Sequence, residues 1–337
     1  METAVRELRR DPVTGGWVII ASDLSREPGE FLRHPGSNGK CRLCPGEERS
    51  TPPELLAFRD SGGPNEPGWR VRVIPNFSPV LRVEGTLDAA AEGPYDRMNG
   101  IGAHEILVES PVHDRGLADL APDRVTDVLF ALRERFVDLR RDGRLRYIAA
   151  FKNQGEAAGA APHGHGQWQI VGLPVVPKRV LAEAANGLRH YAAHDRCVVC
   201  DLLQREVADA RRIIAADNHF LVIAPYASRV PFETWIVPRA HGSHFENAPQ
   251  HVLEAAAGAV RATLRRMNAA LEEPDYNITV QSAPIQEGSL AHFHWRIEIV
   301  PRITRDAGSG FEWGTDARVN PTAPEEAAQF LREALVD

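Results

Sequence analysis

The chain has 337 residues, 43% of them hydrophobic and 25% charged, with a formal charge of −7. That length and apolar content suit two domains, or one large one, with substantial cores. The acidic balance argues against a general nucleic-acid binder, and no run of about 18 apolar residues is present to form a membrane span. The first ten residues, Met1 to Arg10, are charged and lack an apolar core, so no secretory signal is expected and the cytoplasm is the expected compartment.

In chain order, Asp11-Pro12-Val13-Thr14-Gly15-Gly16 reads as a turn and Trp17 to Ile20 as a strand. Loops rich in Gly, Pro and charge follow, from Ser25 to about residue 40 and from Ser61 to Pro67. Trp69 to Ile74 alternates as a strand, and Glu105 to Glu109 is another. Pro122 to Arg141 places Val125, Val128, Leu129, Leu132, Phe136 and Leu139 at helical spacing. Arg146 to Lys152 is a strand, and Asn153 to Pro162 is a small-residue loop. That loop leads into His163-Gly164-His165-Gly166-Gln167, where alternation presents His163, His165 and Gln167 on one side, with glycines between them.

A helix is expected over Lys178 to His194, then strands at His219 to Ala224 and Phe232 to Val237. A helix from Pro249 to Leu271, a strand from Tyr276 to Gln281 and a last strand from Ala291 to Val300 complete the pattern. The order repeats: Cys-x-x-Cys, two strands, a histidine, a long helix, a strand, His-x-His. His113 to His163 and His241 to His292 span about the same length. The expected fold is therefore α+β, a duplicated unit with an antiparallel sheet packed with helices and two pseudo-twofold related halves, 1–177 and 178–337.

The four cysteines form two pairs, Cys41/Cys44 and Cys197/Cys200. In a long chain with no thioredoxin-like setting, such pairs point to metal rather than redox use. Cys41, Cys44, His113 and His163 are expected to form one site, and Cys197, Cys200, His241 and His292 the other. Two thiolates with two imidazoles make a closed tetrahedral Zn²⁺ set, so two structural zinc ions per chain are expected. His244 is an alternative to His241, and His194 and His219 lie nearby.

These features together resemble the galactose-1-phosphate uridylyltransferase family of the histidine-triad superfamily. The resemblance runs through Asp11-Pro12-Val13-Thr14-Gly15, Cys41-x-x-Cys44-Pro45-Gly46-x-Glu48, Thr51-Pro52-Pro53-Glu54 and Val73-x-Pro75-Asn76. It continues through His104-Glu105, Val108-Glu109-x-Pro111-x-His113-Asp114, His163-x-His165-x-Gln167 and Phe232-Glu233-Thr234-Trp235. It implies that His163 binds zinc and that His165 attacks the α-phosphorus of a nucleotide sugar, giving a covalent nucleotidyl-histidine and releasing a sugar 1-phosphate. Gln167 would hold the phosphoryl oxygens, Asn153 and Arg26 would lie near the phosphates, and Asn76 near the ribose. Gly164 and Gly166 would leave room for substrate. A cytoplasmic homodimer active in galactose or other carbohydrate metabolism is implied, with no nucleic-acid or membrane partner. The second half, with Arg296 in place of the glutamine, resembles a degenerate copy that completes the neighbouring site.

The sequence departs from the family at Gly164, where proline is usual, and at Ala160, where transferases commonly have serine. The tail from Phe311 to Pro321 lacks the family's lysine and tyrosine pattern and is similar to the branch containing ADP-glucose phosphorylases. The leading reading is a nucleotidyltransferase acting on a UDP-hexose and a hexose 1-phosphate. The second is a nucleotide-sugar or dinucleotide phosphorylase in which inorganic phosphate resolves the same intermediate. The third is a zinc-stabilised nucleotide-binding module without turnover.

Overall fold

Runs of alternating and β-branched residues favour strands, and strands need a helical layer to cover their apolar face. The computed structural model describes residues 6–21, 40–113, 115–161, 164–285, 288–303 and 310–334. The first half contains β1 (Arg6–Arg10), β2 (Trp17–Ala21), β3 (Leu56–Arg59), β4 (Trp69–Pro75), β5 (Ala90–Glu92), β6 (Tyr95–Asn99) and β7 (Ala103–Val108). Helix α1 (Pro122–Leu139), β8 (Tyr147–Gln154) and β9 (Gln167–Leu173) complete it. The second half contains α2 (Lys178–His194), α3 (Val198–Asp209), β10 (Ile213–Ala216), β11 (Phe220–Ile223), β12 (Thr234–Pro238) and α4 (Gln250–Leu271). It ends with β13 (Tyr276–Gln281), β14 (Arg296–Pro301), α5 (Gly310–Thr315) and α6 (Pro324–Glu333).

Ten strands form one sheet, in the order β10-β11-β12-β14-β13-β8-β9-β7-β4-β3. Read from either edge inward, the two halves match strand for strand. They meet where β13 pairs antiparallel with β8, and Phe151 lies opposite Thr279 at the centre. A smaller antiparallel sheet, β2-β1-β6-β5, packs on it, with Leu8 of β1 and Val171 of β9 in one buried cluster. Helices α1 and α4 lie against the large sheet and against each other. Their buried faces, including Val125, Leu129, Phe136, Leu253, Val260 and Leu264, share one core with Trp168, Ile170, Ile278 and Ile297 from the strands. That core spans both halves, so the duplicated units are fused through a continuous sheet and a common helical layer.

Most expected elements occur within a few residues of their sequence bounds. Two differences bear on the site. Residues 291–295, expected as strand, lie outside β14, which begins at Arg296. The residues from Val198 to Asp209 form a helix that the periodicity did not mark. No helix among the described residues is long and apolar enough to cross a membrane.

Candidate active site and metal centres

The two thiol pairs are shaped differently. Cys41 and Cys44 sit in a tight turn closed by the Cys44 amide donating to the Cys41 carbonyl at 3.2 Å. Cys197 is the N-cap of α3 and Cys200 lies in its first turn, where the helix dipole favours a thiolate. A hydrogen bond from Cys200 is the main influence holding the Cys197 thiol well below the usual thiol range, and His294 acts in the same direction.

Around each pair the histidines take up the same arrangement. Cys41, Cys44, His113 and His165 have ligand atoms all within 4.8 Å of one another, as do Cys197, Cys200, His241 and His294. In the first group His113 Nδ1 lies 3.4 Å from Cys44 Sγ, and His165 Nδ1 lies 3.7 and 3.8 Å from Cys44 and Cys41. In the second, His241 and His294 each place Nδ1 3.5 Å from Cys200 Sγ. A tetrahedral ion with zinc's ordinary bond lengths would hold sulfur and nitrogen about 3.6 Å apart. The imidazole pairs are nearly perpendicular in both sites, at 83° and 86°. Each inner histidine turns Nε2 to a backbone carbonyl, His165 to Ser110 at 2.6 Å and His294 to Pro238 at 2.9 Å. Such a carbonyl fixes the tautomer that leaves Nδ1 for a metal. Donor types, spacing and orienting carbonyls therefore fit a structural metal in both halves.

This corrects the expectation for His292. It sits in the turn before β14, where its carbonyl packs so closely on Gly187 of α2 that a Cβ there would collide with it. His294, two residues before the strand, reaches the thiols instead. His165 stands in the same register, two residues before β9. Among the described residues His165 stands beside the first thiol pair; His163, the expected ligand, lies outside the described residues. His244, the alternative to His241, is buried away from the thiols. Its Nδ1 pairs with Ser243 Oγ at 2.8 Å and its Nε2 with the Pro284 carbonyl at 3.2 Å.

Beside the first metal site is a cavity of about 590 Å³. Asn76, Asn153, Gly164, His165, Gly166 and Gln167 all line it, so six of the seven residues expected to touch substrate converge there. The seventh, Arg26, lies outside the described residues. Gln167 Oε1 is buried and has no hydrogen-bond partner among the described residues. Asn153 Oδ1 accepts from Asn277 Nδ2 at 2.8 Å, so the second half helps to orient it. Gly166 packs on Glu109, whose carboxylate pairs with Lys152 Nζ at 2.8 Å, and both side chains are 0% exposed. A second cavity, about 670 Å³, shares Asn153 and is rimmed by Arg179, Arg229, Arg302 and Arg318.

Sequence reasoning gave no role to His104 and Gln169, which also line the first cavity. The signal was present for Gln169: on β9 it lies two residues beyond Gln167 and shares its face. Glu298 is the Gln169 counterpart in the mirrored half, since β14 and β9 occupy equivalent positions. There the corresponding side chains are charged and paired with one another. Arg296 binds Glu183 at 2.5 Å and Glu298 at 2.7 Å and lies 4.4 Å over the Trp235 ring. Arg179 and Arg229 each reach Glu298 at 2.7 Å. Burial alone would raise the Glu298 carboxyl, but Arg296, Arg179 and Arg229 outweigh it and hold it at about 2.

The mirrored sheet, the paired thiol–imidazole sites and the His-x-His-x-Gln cavity define a nucleotidyltransferase built from a doubled α+β unit. Residues 80–174 match the N-terminal domain of galactose-1-phosphate uridyl transferase, and residues 185–335 match its C-terminal domain. The chain belongs to that family. It is 32% identical to an ADP-glucose phosphorylase of Arabidopsis thaliana, covering 99% of this chain and 94% of the relative. It is 26% identical to a galactose-1-phosphate uridylyltransferase of Thermotoga maritima, covering 98% and 99%. Among solved structures, an ADP-glucose phosphorylase from Arabidopsis thaliana with bound ADP-glucose aligns with a TM-score of 0.77 at 32% identity, covering 98% of this chain and all of the other. A uridylyltransferase aligns at 0.81 and 26% identity, covering 97% and 98%.

Proposed function

We propose that the protein transfers a nucleotidyl group from a nucleotide sugar to a phosphate-bearing acceptor, through a covalent nucleotidyl-histidine in the 590 Å³ cavity. The observation that carries this reading is the convergence there of His165, Gln167, Asn153 and Asn76 beside two glycines. An imidazole nitrogen attacks the α-phosphorus, the bond to the bridging oxygen breaks, and the sugar 1-phosphate departs. An acceptor phosphate oxygen then attacks the same phosphorus and the P–N bond breaks. Gln167 lines the cavity, and its side-chain NH₂ would be the group that donates to phosphoryl oxygens as negative charge shifts onto them. The arginine-rimmed cavity that shares Asn153 gives a phosphate-bearing acceptor a route in. Zinc is the ion proposed for both thiol–imidazole sites, where it would brace the loops and take no part in the transfer. A cytoplasmic homodimer remains part of the proposal.

The first reading of donor and acceptor is a UDP-hexose and a hexose 1-phosphate. A second has inorganic phosphate clear the intermediate, as in a phosphorylase acting on ADP-glucose. It is favoured by the 32% identity to a protein of that name, against 26% to the uridylyltransferase, and by Ala160, which offers the cavity no hydroxyl. Intact-protein mass spectrometry after brief exposure to UDP-glucose or ADP-glucose separates them. A UMP or AMP adduct identifies the donor, and its clearance by galactose 1-phosphate or by phosphate identifies the acceptor. No adduct from either donor, in folded metal-replete protein, would overturn both readings.

The same assay assigns the two histidines. With Nδ1 toward the thiols and Nε2 on Ser110, His165 has a ligand's contacts, and acting as nucleophile would require it to leave the Ser110 carbonyl. If His165→Ala loses the adduct and keeps both zinc ions, His165 is the nucleophile. If it loses one zinc, His165 is the ligand and His163 is left to carry the nucleotide.

A further inference from the structure

Lys152 on β8 and Glu109, the residue after β7, form an ion pair at 2.8 Å, and both side chains are 0% exposed. In the large sheet β9 lies between those two strands. Neighbouring strands are about 4.8 Å apart, so the pair reaches across roughly 10 Å beneath the chain that enters β9. Leu107, Ala150 and Trp168 belong to the core under the helices. Glu109, Lys152 and Gly166 each lie two positions from one of them and share that helix-covered face. The crossing is possible because Gly166 has no side chain. A Cβ there would collide with Glu109 Oε1, the same oxygen that binds Lys152 Nζ.

Three contacts tie Glu109 to the reacting loop. Its carboxylate lies beneath Gly166. Its amide donates to the Gly166 carbonyl at 3.2 Å. The next carbonyl, that of Ser110, is 2.6 Å from His165 Nε2. His165 and Gln167, on either side of Gly166, both line the catalytic cavity, whereas Lys152 and Glu109 do not. Glu109 Oε2 is buried and has no hydrogen-bond partner among the described residues. A buried pair with an oxygen left unsatisfied offers little net stability over packed apolar groups. What it adds is geometry: a directed, charge-assisted bond across the one strand that carries His165 and Gln167. We propose that the Lys152–Glu109 pair is a strut beneath this loop that sets the Gly166 peptide, and through it the His165 imidazole and the Gln167 amide, at the cavity. Both are positioning residues. The proposal rests on the reading that the cavity transfers a nucleotidyl group.

The test compares two double variants in the full, metal-loaded chain. Lys152→Met with Glu109→Leu removes the crossing bond and leaves no buried charge. Lys152→Gln with Glu109→Gln removes the charges and keeps a hydrogen bond across the gap. Both should keep the wild-type metal content and bind UMP or AMP with an affinity within about 3-fold of wild type, because the strut acts on the reacting geometry and not on ground-state binding. The apolar pair should form the nucleotidyl adduct about 10- to 100-fold more slowly, since a displacement near 1 Å at a reacting group has an effect of that size. The amide pair should recover at least part of that loss. A merely structural role predicts rates that follow stability in urea. Adduct formation by the apolar pair at the wild-type rate, an amide pair no faster than the apolar one, or a loss of rate seen only with metal loss or unfolding overturns the proposal. Hydrogen–deuterium exchange at the Glu109 amide reads the strut without turnover. It should be faster in the apolar pair than in the wild type, with α1 unchanged, and equal exchange overturns the proposal. If the wild type forms no adduct, the reading of function falls and the exchange result decides the strut.

Discussion

Replacing Glu298 with glutamine keeps the side-chain shape and removes one charge from the ion-pair network of the second half. The carboxylate is fully buried and contacts Arg179, Arg229 and Arg296, each at 2.7 Å. Its carboxyl is held at about 2, against an ordinary 4.5. At about 1.36 kcal/mol per pH unit, that difference corresponds to stability on the order of 3 kcal/mol. Because the folded value is depressed, the unfolded chain binds more protons between pH 4.5 and 2. The contribution is therefore complete above pH 4.5 and is lost as pH falls through that window. Glu298→Gln should lower stability by roughly 3 kcal/mol at pH 7, close to the usual cost of breaking a buried ion pair. The gap should hold down to about pH 5 and then close toward pH 2. Urea unfolding of both proteins, followed by tryptophan fluorescence at a series of pH values, measures this. Other carboxylates and the metal ligands titrate in both proteins, so the difference isolates Glu298. A loss under about 1 kcal/mol at pH 7, or a gap that does not change with pH, would refute the reasoning.

Three further outcomes follow from the contacts. Lys152→Met leaves the Glu109 carboxylate buried and uncompensated and should cost roughly 3–5 kcal/mol in urea unfolding, while the double change with Glu109→Leu should recover most of it. Gly166→Ala drives a methyl into Glu109 Oε1 and toward the Arg115 carbonyl, so it should cost about 1–3 kcal/mol and reduce nucleotidyl-adduct formation by mass spectrometry. His294→Ala should remove one of two zinc equivalents by elemental analysis, whereas His292→Ala should retain both; the reverse result would restore the sequence-based ligand set.

The sequence made the repeat legible because both halves carry the same punctuation: a thiol pair, a histidine and a His-x-His at matching spacing. Long amphipathic segments such as Pro122 to Leu139 and Gln250 to Leu271 were readable for the same reason, since their apolar stripe covers a sheet. Helix α3 was missed because its first turn is spent on Cys197 and Cys200, whose metal-type spacing masks its periodicity. His294 was missed because spacing alone cannot tell which histidine of an H-x-H leaves the strand. That depends on where β14 begins and on the Pro238 carbonyl waiting for Nε2. The place of His104 in the cavity wall depends on the Val80 amide, a contact between distant segments that no local pattern records.

The two halves show how one scaffold gives one active site rather than two. The strand that enters from each metal site offers three alternating inward positions. In the first half they are His165, Gln167 and Gln169, all lining an open cavity. In the second they are His294, Arg296 and Glu298, and the last two are locked in ion pairs with Arg179, Arg229 and Glu183. Both halves keep a thiol–imidazole cluster that fits a metal and lies between the loops and the sheet. A buried network of matched charges is a poor host for a nucleotide, since entry would strip partners from groups with no water to replace them. The second half instead orients Asn153 through Asn277.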